Sequence, residues 1–372
     1  MPGDIAQTDA YKPLMKSHYE LGELFKIHLT NLLFTALTLG IYRFWAKTRI
    51  RRYLWSHVEI EGDRLEYTGT AKELLFGFLI IVAVLIIPVL IVPEIISLAA
   101  VLSPETQSAV AGVQGLIIFF LIPIAIFRAR RYRLTRTRWR GIRGGQTGSS
   151  LVYGATSFFW SILNVVTLGL AIPYTRTHLA RYRTKHTWFG NRSMVLDAKG
   201  RRLYPALFVS FLLYFAVLAV ILMLAAALFF PVFQPMFEGR TPSPQEIILS
   251  LETSSVQLIV VLVSAAVLFT LPTLWYAATE VRYFASCLNF MNLEFELDTG
   301  RWRYVWFIWT NQLMALLSLG LLLPVVYKRY VDFYAERFRY AGSFSERDLS
   351  QSELGAPERG EGLADAFDIG GI

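Results

Sequence analysis

A chain of 372 residues that is 54% hydrophobic and only 17% charged, with a mean hydropathy of +0.44, does not have the composition of a soluble globular protein. Soluble domains carry about 25% charged residues, so we expect a helical protein of the lipid bilayer. The formal net charge of +8 does not indicate a nucleic-acid partner, because the basic residues lie beside hydrophobic segments, where membrane orientation and anionic headgroups account for them.

The first predicted element, Leu29–Phe44, is hydrophobic but polar in places, and it contains a Leu-Gly step at Gly40. Glycine lowers the cost of a bend, so we expect the helix to break there. Two long segments without charge, Leu74–Val92 and Val110–Phe127, follow it. Each approaches the length of about 20 apolar residues that a transmembrane helix needs.

The second half of the chain repeats this order. Leu151–Pro173 is again polar and broken, and the long segments Leu203–Phe233 and Val256–Thr279 follow it. A last broken segment, Val305–Val326, ends the hydrophobic part. The sequence therefore predicts an all-α polytopic membrane protein with four long spans and three polar, Gly-broken segments.

A recurring phrase predicts internal repeats. TLGIYRFWAKTRIRRY begins at Thr38, recurs as TLGLAIPYTRTHLARY from Thr167, and has a weaker copy, SLGLLLPVVYKRY, from Ser318. We expect an N-terminal segment over 1–20, a first membrane repeat over 21–150, a second over 151–303, a partial third copy over 304–340 and a disordered acidic tail over 341–372.

Basic residues crowd three short stretches, Arg43–Arg52, Arg128–Arg143 and Arg176–Arg202, which we expect in the cytoplasm. Leu151–Pro173 lies between two of them, so a full crossing would put one basic stretch outside. Two interpretations remain open. In one, the three broken segments are re-entrant, which leaves four spans and two parallel halves. In the other, all seven segments cross and the halves are inverted.

Short strands are predicted after the basic stretches. Val58–Gly69 contains a turn over residues 61–64, and apolar residues alternate with acidic ones over Leu293–Asp298. We expect these pieces to form small cytoplasmic β elements beneath the helices.

Polar groups of the broken segments are the first candidate site. At membrane depth an asparagine can line a pathway, or it can tie helices together by a hydrogen bond of about 0.6–2 kcal/mol. The predicted substrate pathway consists of Asn31, Asn164, Asn311, Gly40, Gly169 and Gly320.

Arginines of the basic stretches are the second candidate site, because a planar guanidinium binds phosphate in a bidentate way. The candidates for a lipid headgroup or another anion are Arg49, Arg52, Arg131, Arg181 and Arg282. The alternative is that they only set the orientation and lie among anionic headgroups, at about 1 kcal/mol each.

We predict no catalytic residue, cofactor or metal site. The sequence lacks a phosphate loop, a Gly-x-Ser-x-Gly elbow and a His-Glu-x-x-His motif. His57 and His186 both follow an Arg-Tyr tyrosine by four residues, but zinc usually needs three or four ligands. The single cysteine, Cys287, excludes an intrachain disulfide. A membrane enzyme would require the two histidines to meet.

The first copy of the repeated phrase resembles the YjgN-like family of bacterial inner-membrane proteins. The likeness is carried by Leu37 to Tyr42, Trp45, Arg49 and Arg52-Tyr53, and it extends over residues 18–340. Phe44 stands where the family often has proline, and Ser56-His57 where Asn-Thr is common. The resemblance implies a multi-pass inner-membrane protein of uncharacterised function, and it supplies no catalytic residues.

We therefore expect an inner-membrane protein with cytoplasmic basic loops and tail, whose partners are membrane lipids with anionic headgroups. The first hypothesis is a conduit or carrier for a small or anionic solute, which requires Asn31, Asn164 and Asn311 to face a shared cavity. The alternative is a non-transporting lipid-binding or envelope scaffold protein, which predicts a dry core and lipid phosphate at the basic stretches.

Overall fold

The computed structural model describes residues 11–98, 103–237, 243–248 and 263–342, together with 239, 241, 261 and 349–351. The chain forms two compact units. The first contains Met1–Gly200, Tyr283–Asp298 and Met314–Ile372, and the second contains Arg201–Arg282 and Thr299–Leu313.

Seven α-helices precede residue 200 in the described ranges. They are α1 Leu21–Leu37, α2 Arg43–Ser56, α3 Ala71–Ile81, α4 Val92–Leu98, α5 Pro104–Arg136, α6 Ser150–Val166 and α7 Ile172–Lys185. A π-helical segment, Val82–Ile91, joins α3 to α4 and contains Pro88, which has no N–H for the helix. Ser103 and Ser149 cap α5 and α6, because each hydroxyl accepts the N–H three residues on at 3.3 Å.

Four further helices have defined bounds within the described residues. They are α8 Tyr204–Phe237, α9 Thr270–Ser286, α10 Arg301–Leu317 and α11 Leu323–Arg337. In the second unit, the hydroxyls of Tyr214 on α8 and Thr273 on α9 share a hydrogen bond of 2.5 Å. The rings of Trp275 on α9 and Trp302 on α10 lie 4.8 Å apart. These contacts join the three helices inside that unit.

The described residues form twelve short strands, all of them in the first unit. They are β1 Lys12–Pro13, β2 Met15–Ser17, β3 Val58–Ile60, β4 Asp63–Tyr67, β5 Thr137–Trp139, β6 Ile142–Gln146, β7 Thr187–Phe189, β8 Arg192–Ser193, β9 Val195–Leu196, β10 Leu288–Phe290, β11 Leu293–Leu297 and β12 Phe338–Ala341. Neighbouring strands are antiparallel.

The strands pair in two sheets that close on each other. One has the order β2-β3-β4-β5-β6-β7-β8, and the other has the order β1-β12-β11-β10-β9. Only Leu14 separates β1 from β2, and its N–H donates to the Phe338 carbonyl oxygen at 3.0 Å. Only Met194 separates β8 from β9, and its N–H donates to the Thr187 carbonyl oxygen at 2.9 Å. The pairings therefore follow a closed circuit, which we call the strand ring.

Left-handed residues form the tight turns of the strand ring. Glu61 and Gly62 have φ values of 48° and 86°, as a type I′ turn requires. The turns at Arg140-Gly141 and at Met291-Asn292 also have two residues of positive φ. Such turns match the twist of the flanking strands, so they fix the register of each hairpin.

Between its strands the chain leaves the strand ring and returns to it through helices. Three excursions are short: β2 to β3 through α1 and α2, β6 to β7 through α6 and α7, and β11 to β12 through α10 and α11. We call these the short helix pairs. Two longer excursions connect β4 to β5 and β9 to β10, and both include residues outside the described ranges.

Three helices of the described chain are long and apolar enough to cross a membrane: Ala71–Ser97, Pro104–Arg136 and Gly200–Ala227. They overlap the first three predicted long spans, and the third of these apolar ranges ends at Ala227, before the predicted end at Phe233. The fourth, Val256–Thr279, includes residues 256–260 and 262, which lie outside the described ones, and its last part forms the start of α9. The predicted disordered tail lies outside them at 343–348 and 352–372.

The mostly helical class is confirmed, but the strands are more extensive than small separate β elements. The predicted strands at Val58–Gly69 and Leu293–Asp298 correspond to β3, β4 and β11. Most of the other strands have two or three residues, which is too short for a recognisable alternation. The predicted boundary at residue 150 coincides with the start of α6. The division into membrane repeats stays a prediction.

Candidate functional site

Each short helix pair breaks at its Leu-Gly step in the same way. Leu39 and Gly40 have φ values of 49° and 90°, and the glycines at 169 and 320 have 88° and 85°. The Gly40 N–H donates to the carbonyl oxygen of Thr35, five residues earlier, at 2.8 Å. This is the long bond of a Schellman motif, which ends an α-helix in a left-handed turn. The predicted breaks at Gly40, Gly169 and Gly320 are therefore present.

The tip of each short helix pair is apolar and exposed. Leu39, Leu168 and Leu319 are 95%, 86% and 92% exposed. Their neighbours at the first tip, Leu37 and Ile41, are also exposed. Isolated exposed leucines are common, but a whole turn of them is a surface suited to hydrocarbon rather than to water.

The three asparagines of the predicted pathway have separate surroundings. Asn31 is 3% exposed, and its Nδ2 donates to the Ala46 carbonyl oxygen of α2 at 3.4 Å. The Asn164 Oδ1 accepts from the Thr175 hydroxyl of α7 at 3.1 Å. Asn311 is 1% exposed, and neither of its amide atoms has a partner in the described residues. Two asparagines thus join the helices of their own pair, and a shared pathway stays a prediction.

Three of the five candidate arginines bind backbone inside the protein. Arg52 Nη2 donates to the Gly69 carbonyl oxygen at 3.0 Å, 17 residues further along the chain. Arg131 donates in the same way to Gly148, and Arg181 to Ala198, again across 17 residues. Each bond connects a helix to the chain that follows its strand hairpin. Of the remaining candidates, Arg49 is exposed on α2 and Arg282 is half-buried on α9.

The tyrosine that follows each of these arginines closes the base of a helical excursion. Tyr53 Oη donates to the Glu20 carbonyl oxygen at 3.2 Å and accepts from the Glu20 N–H at 3.3 Å. Tyr283 and Lys199 make the same pair of bonds, at 3.4 and 2.7 Å. Tyr132 instead donates to the Glu73 carboxylate at 2.9 Å. This role of the tyrosines was not predicted from the sequence, although the Arg-Tyr pair that precedes each hairpin could have indicated it.

His57 and His186 occupy matching positions at the ends of α2 and α7. Their Nδ1 atoms each lie 2.7 Å from a carbonyl oxygen, that of Tyr53 and that of Tyr182. Their rings lie 4.1 and 4.3 Å from the rings of the same tyrosines. Each histidine therefore contacts the last turn of its own helix, through the carbonyl oxygen and the ring of the tyrosine four residues before it.

Inside the strand ring lies a cavity of about 320 Å³. Its lining comes from both sheets and is almost entirely apolar; it includes Leu14, Ile60, Trp139, Trp188, Met194 and Phe295. Phe290, Leu293, Phe295 and Tyr340 form a buried cluster along the second sheet. Small pockets of this kind are the usual binding sites of apolar ligands.

Residues with polar side chains belong to the wall of the cavity at two places. At the first, Tyr340 Oη donates to Glu61 Oε1, and Lys12 Nζ lies 3.8 Å from the same oxygen. Burial, and then the hydrogen bond to Glu61, raise the pKa of Tyr340, so the hydroxyl stays protonated. At the second, Thr187 Oγ1 accepts from Arg130 Nη1 at 2.8 Å.

A short piece of the tail contacts the same core. Leu349 packs against the cluster of the second sheet. The Ser350 N–H donates to Asn191 Oδ1 at 3.4 Å, and the Arg143 N–H donates to Gln351 Oε1 at 3.2 Å. Residues 349–351 of the tail therefore lie against the turn between β7 and β8.

A second cavity, of about 620 Å³, lies beside α2 and α11. Its aromatic lining consists of Tyr19, Trp55, Tyr327, Tyr330 and Tyr334. The Tyr19 hydroxyl donates to the Leu54 carbonyl oxygen at 2.9 Å, and Trp55 Nε1 donates to the Thr137 hydroxyl at 2.9 Å. With four tyrosines in its wall, this cavity is more polar than the one in the strand ring. Asn31, Asn164 and Asn311 line neither cavity.

A family model described as a bacterial protein of unknown function, DUF898, matches residues 18–366. The chain is also similar to curated proteins called inner membrane protein YjgN, which confirms the resemblance seen in the sequence. The one from Escherichia coli O157:H7 is 40% identical over 58 residues, which cover 16% of this chain and 15% of that protein. The one from Salmonella typhimurium is 33% identical over 66 residues, which cover 18% and 17%.

A longer match is that to inner membrane protein YjgN of Escherichia coli K12, which is 26% identical over 146 residues. It covers 39% of this chain and 34% of that protein, so the chain spans about a third or less of the relatives' length in each match. No solved structure matches the chain.

Proposed function

This chain belongs to the DUF898 family of bacterial proteins of unknown function, and we propose that it is a multi-pass inner-membrane protein that binds the apolar tail of a lipid inside its strand ring. The observation that carries this proposal is the cavity of about 320 Å³. Its volume lies in the range of small-molecule sites, about 300–1,000 Å³. The proposal involves no catalytic step and no cofactor.

The chemistry of the wall selects the kind of ligand. A wall that is almost entirely apolar offers few hydrogen bonds, so a charged solute would lose most of its hydration there without compensation. A hydrocarbon tail gains about 25 cal/mol for each Å² of apolar surface that leaves water. The cavity therefore favours a lipid tail over the small or anionic solute of the conduit hypothesis.

Hydrogen bonds at the base of the short helix pairs support a topology in which these pairs are re-entrant. Tyr182 near the end of α7 is hydrogen-bonded to Ser149 at the start of α6, so the two basic stretches around them lie together. The hydrogen bonds between Tyr53 and Glu20 bring the end of α2 next to the start of α1 in the same way. Segments that begin and end at one place favour re-entrant helices rather than single crossings. The positive-inside rule then assigns the strand ring and its basic residues to the cytoplasm.

Helix length supports the same topology. α1 and α6 each have 17 residues. At a rise of about 1.5 Å per residue they reach about 25 Å, which is less than the hydrocarbon core of about 30 Å. Their exposed leucine tips would be poorly placed in the water beyond the membrane. We therefore propose four spans, the fourth including residues outside the described ranges, and three re-entrant pairs whose tips remain in hydrocarbon.

A conduit is the second candidate, and one observation favours it. Asn311 is 1% exposed and both its amide atoms lack a partner in the part of the chain that the structure describes, as does Asn31 Oδ1. A buried polar group without a partner costs about 1–3 kcal/mol. A water-filled pathway beside Asn311 would pair its amide atoms. Flux of a solute into vesicles that is lost in Asn311→Leu would favour the conduit.

The lipid proposal is tested by comparing two adjacent residues of the strand ring. Met194 lines the cavity, whereas Val195 is 58% exposed, so Met194→Trp fills the site and Val195→Trp is its matched control. Native mass spectrometry of the purified protein counts the lipids that remain bound. We expect bound lipid in the wild type and in Val195→Trp, and none in a folded Met194→Trp. Equal occupancy in all three proteins would overturn the proposal.

A further inference from the structure

A half-buried arginine lies directly behind the wall of the ring cavity. Arg130 Nη1, on α5, donates to Gln146 Oε1 at 3.2 Å and to Thr187 Oγ1 at 2.8 Å. Gln146 and Thr187 belong to β6 and β7 and are 4% and 1% exposed. Both partners are neutral, so they stabilise the guanidinium by hydrogen bonds without balancing its charge.

The charged groups that act on Arg130 are themselves basic. They are Arg183 on α7 and Arg133, three residues further along α5. The Thr187 hydroxyl also donates to the Arg183 carbonyl oxygen at 2.8 Å, which keeps the end of α7 next to this site. The third group that acts on the Arg130 charge is Tyr153, and none of the three is a carboxylate. The charges of Arg130 and Arg183 repel each other, and an anion bound between them would offset that repulsion.

Gln146 supplies an independent observation. Its Oε1 accepts from Arg130, but its Nε2, which carries two N–H donors, has no hydrogen-bond partner in the described ranges. Buried amide donors in native proteins are nearly always paired. An acceptor is therefore missing next to a guanidinium whose charge is not balanced. One anionic oxygen group satisfies both requirements.

We propose that Arg130, Arg183 and Gln146 bind an anionic head, a carboxylate or phosphate group, of the ligand whose tail occupies the ring cavity. Thr187 connects the two regions, because its side chain lines the cavity and accepts from Arg130. The inference rests on the proposed function and makes the ligand an anionic amphiphile. The site includes none of the five arginines that the sequence favoured for an anion.

The test compares ligands that differ only in charge. Native mass spectrometry measures how much hexadecanoic acid, and how much of its uncharged methyl ester, the delipidated full-length protein retains. Arg130→Gln and Arg183→Gln alter the site from two different helices. Arg128→Gln is the matched control, since Arg128 is exposed on α5 two residues before Arg130.

We expect the wild type and Arg128→Gln to retain the acid about tenfold more strongly than the ester, as hydrogen bonds to charged groups imply. Arg130→Gln and Arg183→Gln should retain both ligands at the level of the ester. If Arg130→Gln loses both ligands because it does not fold, Arg183→Gln decides: an unchanged preference for the acid there overturns the inference.

Two other outcomes separate this inference from the proposed function. Equal retention of acid and ester by the wild type would overturn the anionic head and leave the apolar tail site intact. Retention of neither ligand would overturn both. Inorganic phosphate, added alone and then in competition, identifies the source of the anion. If phosphate displaces the acid, free phosphate also binds to the site. If it does not, the anionic head binds only as part of the amphiphile. Both results are consistent with an anion site at Arg130.

Discussion

The hydroxyl of Tyr182 donates a hydrogen bond to the carbonyl oxygen of Ser149 and accepts one from the Ser149 N–H, both at 3.1 Å. Ser149 is the N-cap of α6, and Tyr182 lies in the last turn of α7. One side chain therefore closes the base of a short helix pair. The repeated Arg-Tyr phrase is, in this respect, a folding element and not only a band of positive charge.

Tyr182→Phe should lower the stability of the protein, because it removes both bonds. Each hydrogen bond contributes about 0.5–1.5 kcal/mol, so we expect a loss of about 1–3 kcal/mol and a lower melting temperature in detergent. The control is Tyr42→Phe, since the Tyr42 ring packs on Phe34 and its hydroxyl makes no hydrogen bond within the described residues. Identical melting temperatures for the two variants would contradict the assigned role.

Arg181→Gln distinguishes a structural arginine from a lipid-binding one. Arg181 Nη2 donates to the Ala198 carbonyl oxygen, so its loss should destabilise the chain that leads from β9 to α8 by about 1 kcal/mol. The amount of anionic lipid that co-purifies should not change. Arg49→Gln, at an exposed position on α2, is expected to leave the melting temperature unaltered. A selective loss of anionic lipid in Arg181→Gln would favour the direct headgroup site.

The sequence predicts the helices well, because long apolar runs and Leu-Gly steps are signals that act over many residues. Three helices long and apolar enough to cross a membrane overlap the first three predicted spans, and all three breaks lie where they are expected. The strand ring is different. β8 and β9 have two residues each, and a pairing such as β1 with β12 joins residues more than 300 positions apart in the chain. Local periodicity contains no information about such pairings.

The candidate site was predictable only in part. Arg131 and Arg130 are adjacent in the same basic stretch, and nothing in their sequence distinguishes the arginine that binds backbone from the one that donates to Gln146. That difference depends on which face of α5 packs against β6 and β7. Gln146 itself follows a pair of glycines and lies in no polar motif. Its unpaired amide is visible only once the neighbouring strand is in place.

The topology predicts the sidedness of two engineered cysteines in a Cys287→Ser background. Asn191→Cys lies between β7 and β8, and we expect an impermeant thiol reagent to leave it unlabelled in intact cells. Ser103→Cys, at the N-cap of α5, should be labelled, because the proposed topology puts the start of α5 outside the cytoplasm. Labelling at position 191 would establish that Leu151–Pro173 crosses, and would favour the seven-span interpretation.

A charge at the tip of a short helix pair should interfere with membrane insertion. Leu168 is 86% exposed at the break between α6 and α7. If that tip lies in hydrocarbon, Leu168→Lys costs up to about 3 kcal/mol and lowers the fraction of protein found in the membrane. Val195→Lys, exposed on the strand ring, should insert normally. Normal insertion of Leu168→Lys would mean that the tip reaches water.

Position-resolved photocrosslinking can show directly whether a lipid tail occupies the strand ring. A fatty acid with a photoreactive group near the end of its tail would be incorporated in cells, crosslinked and located by peptide mass spectrometry. We predict labelled residues on the strands that line the cavity, such as Met194 and Phe295, and loss of these labels in Met194→Trp. Labels confined to α5 and α8, with none on the strand ring, would mean that no lipid tail occupies the ring cavity.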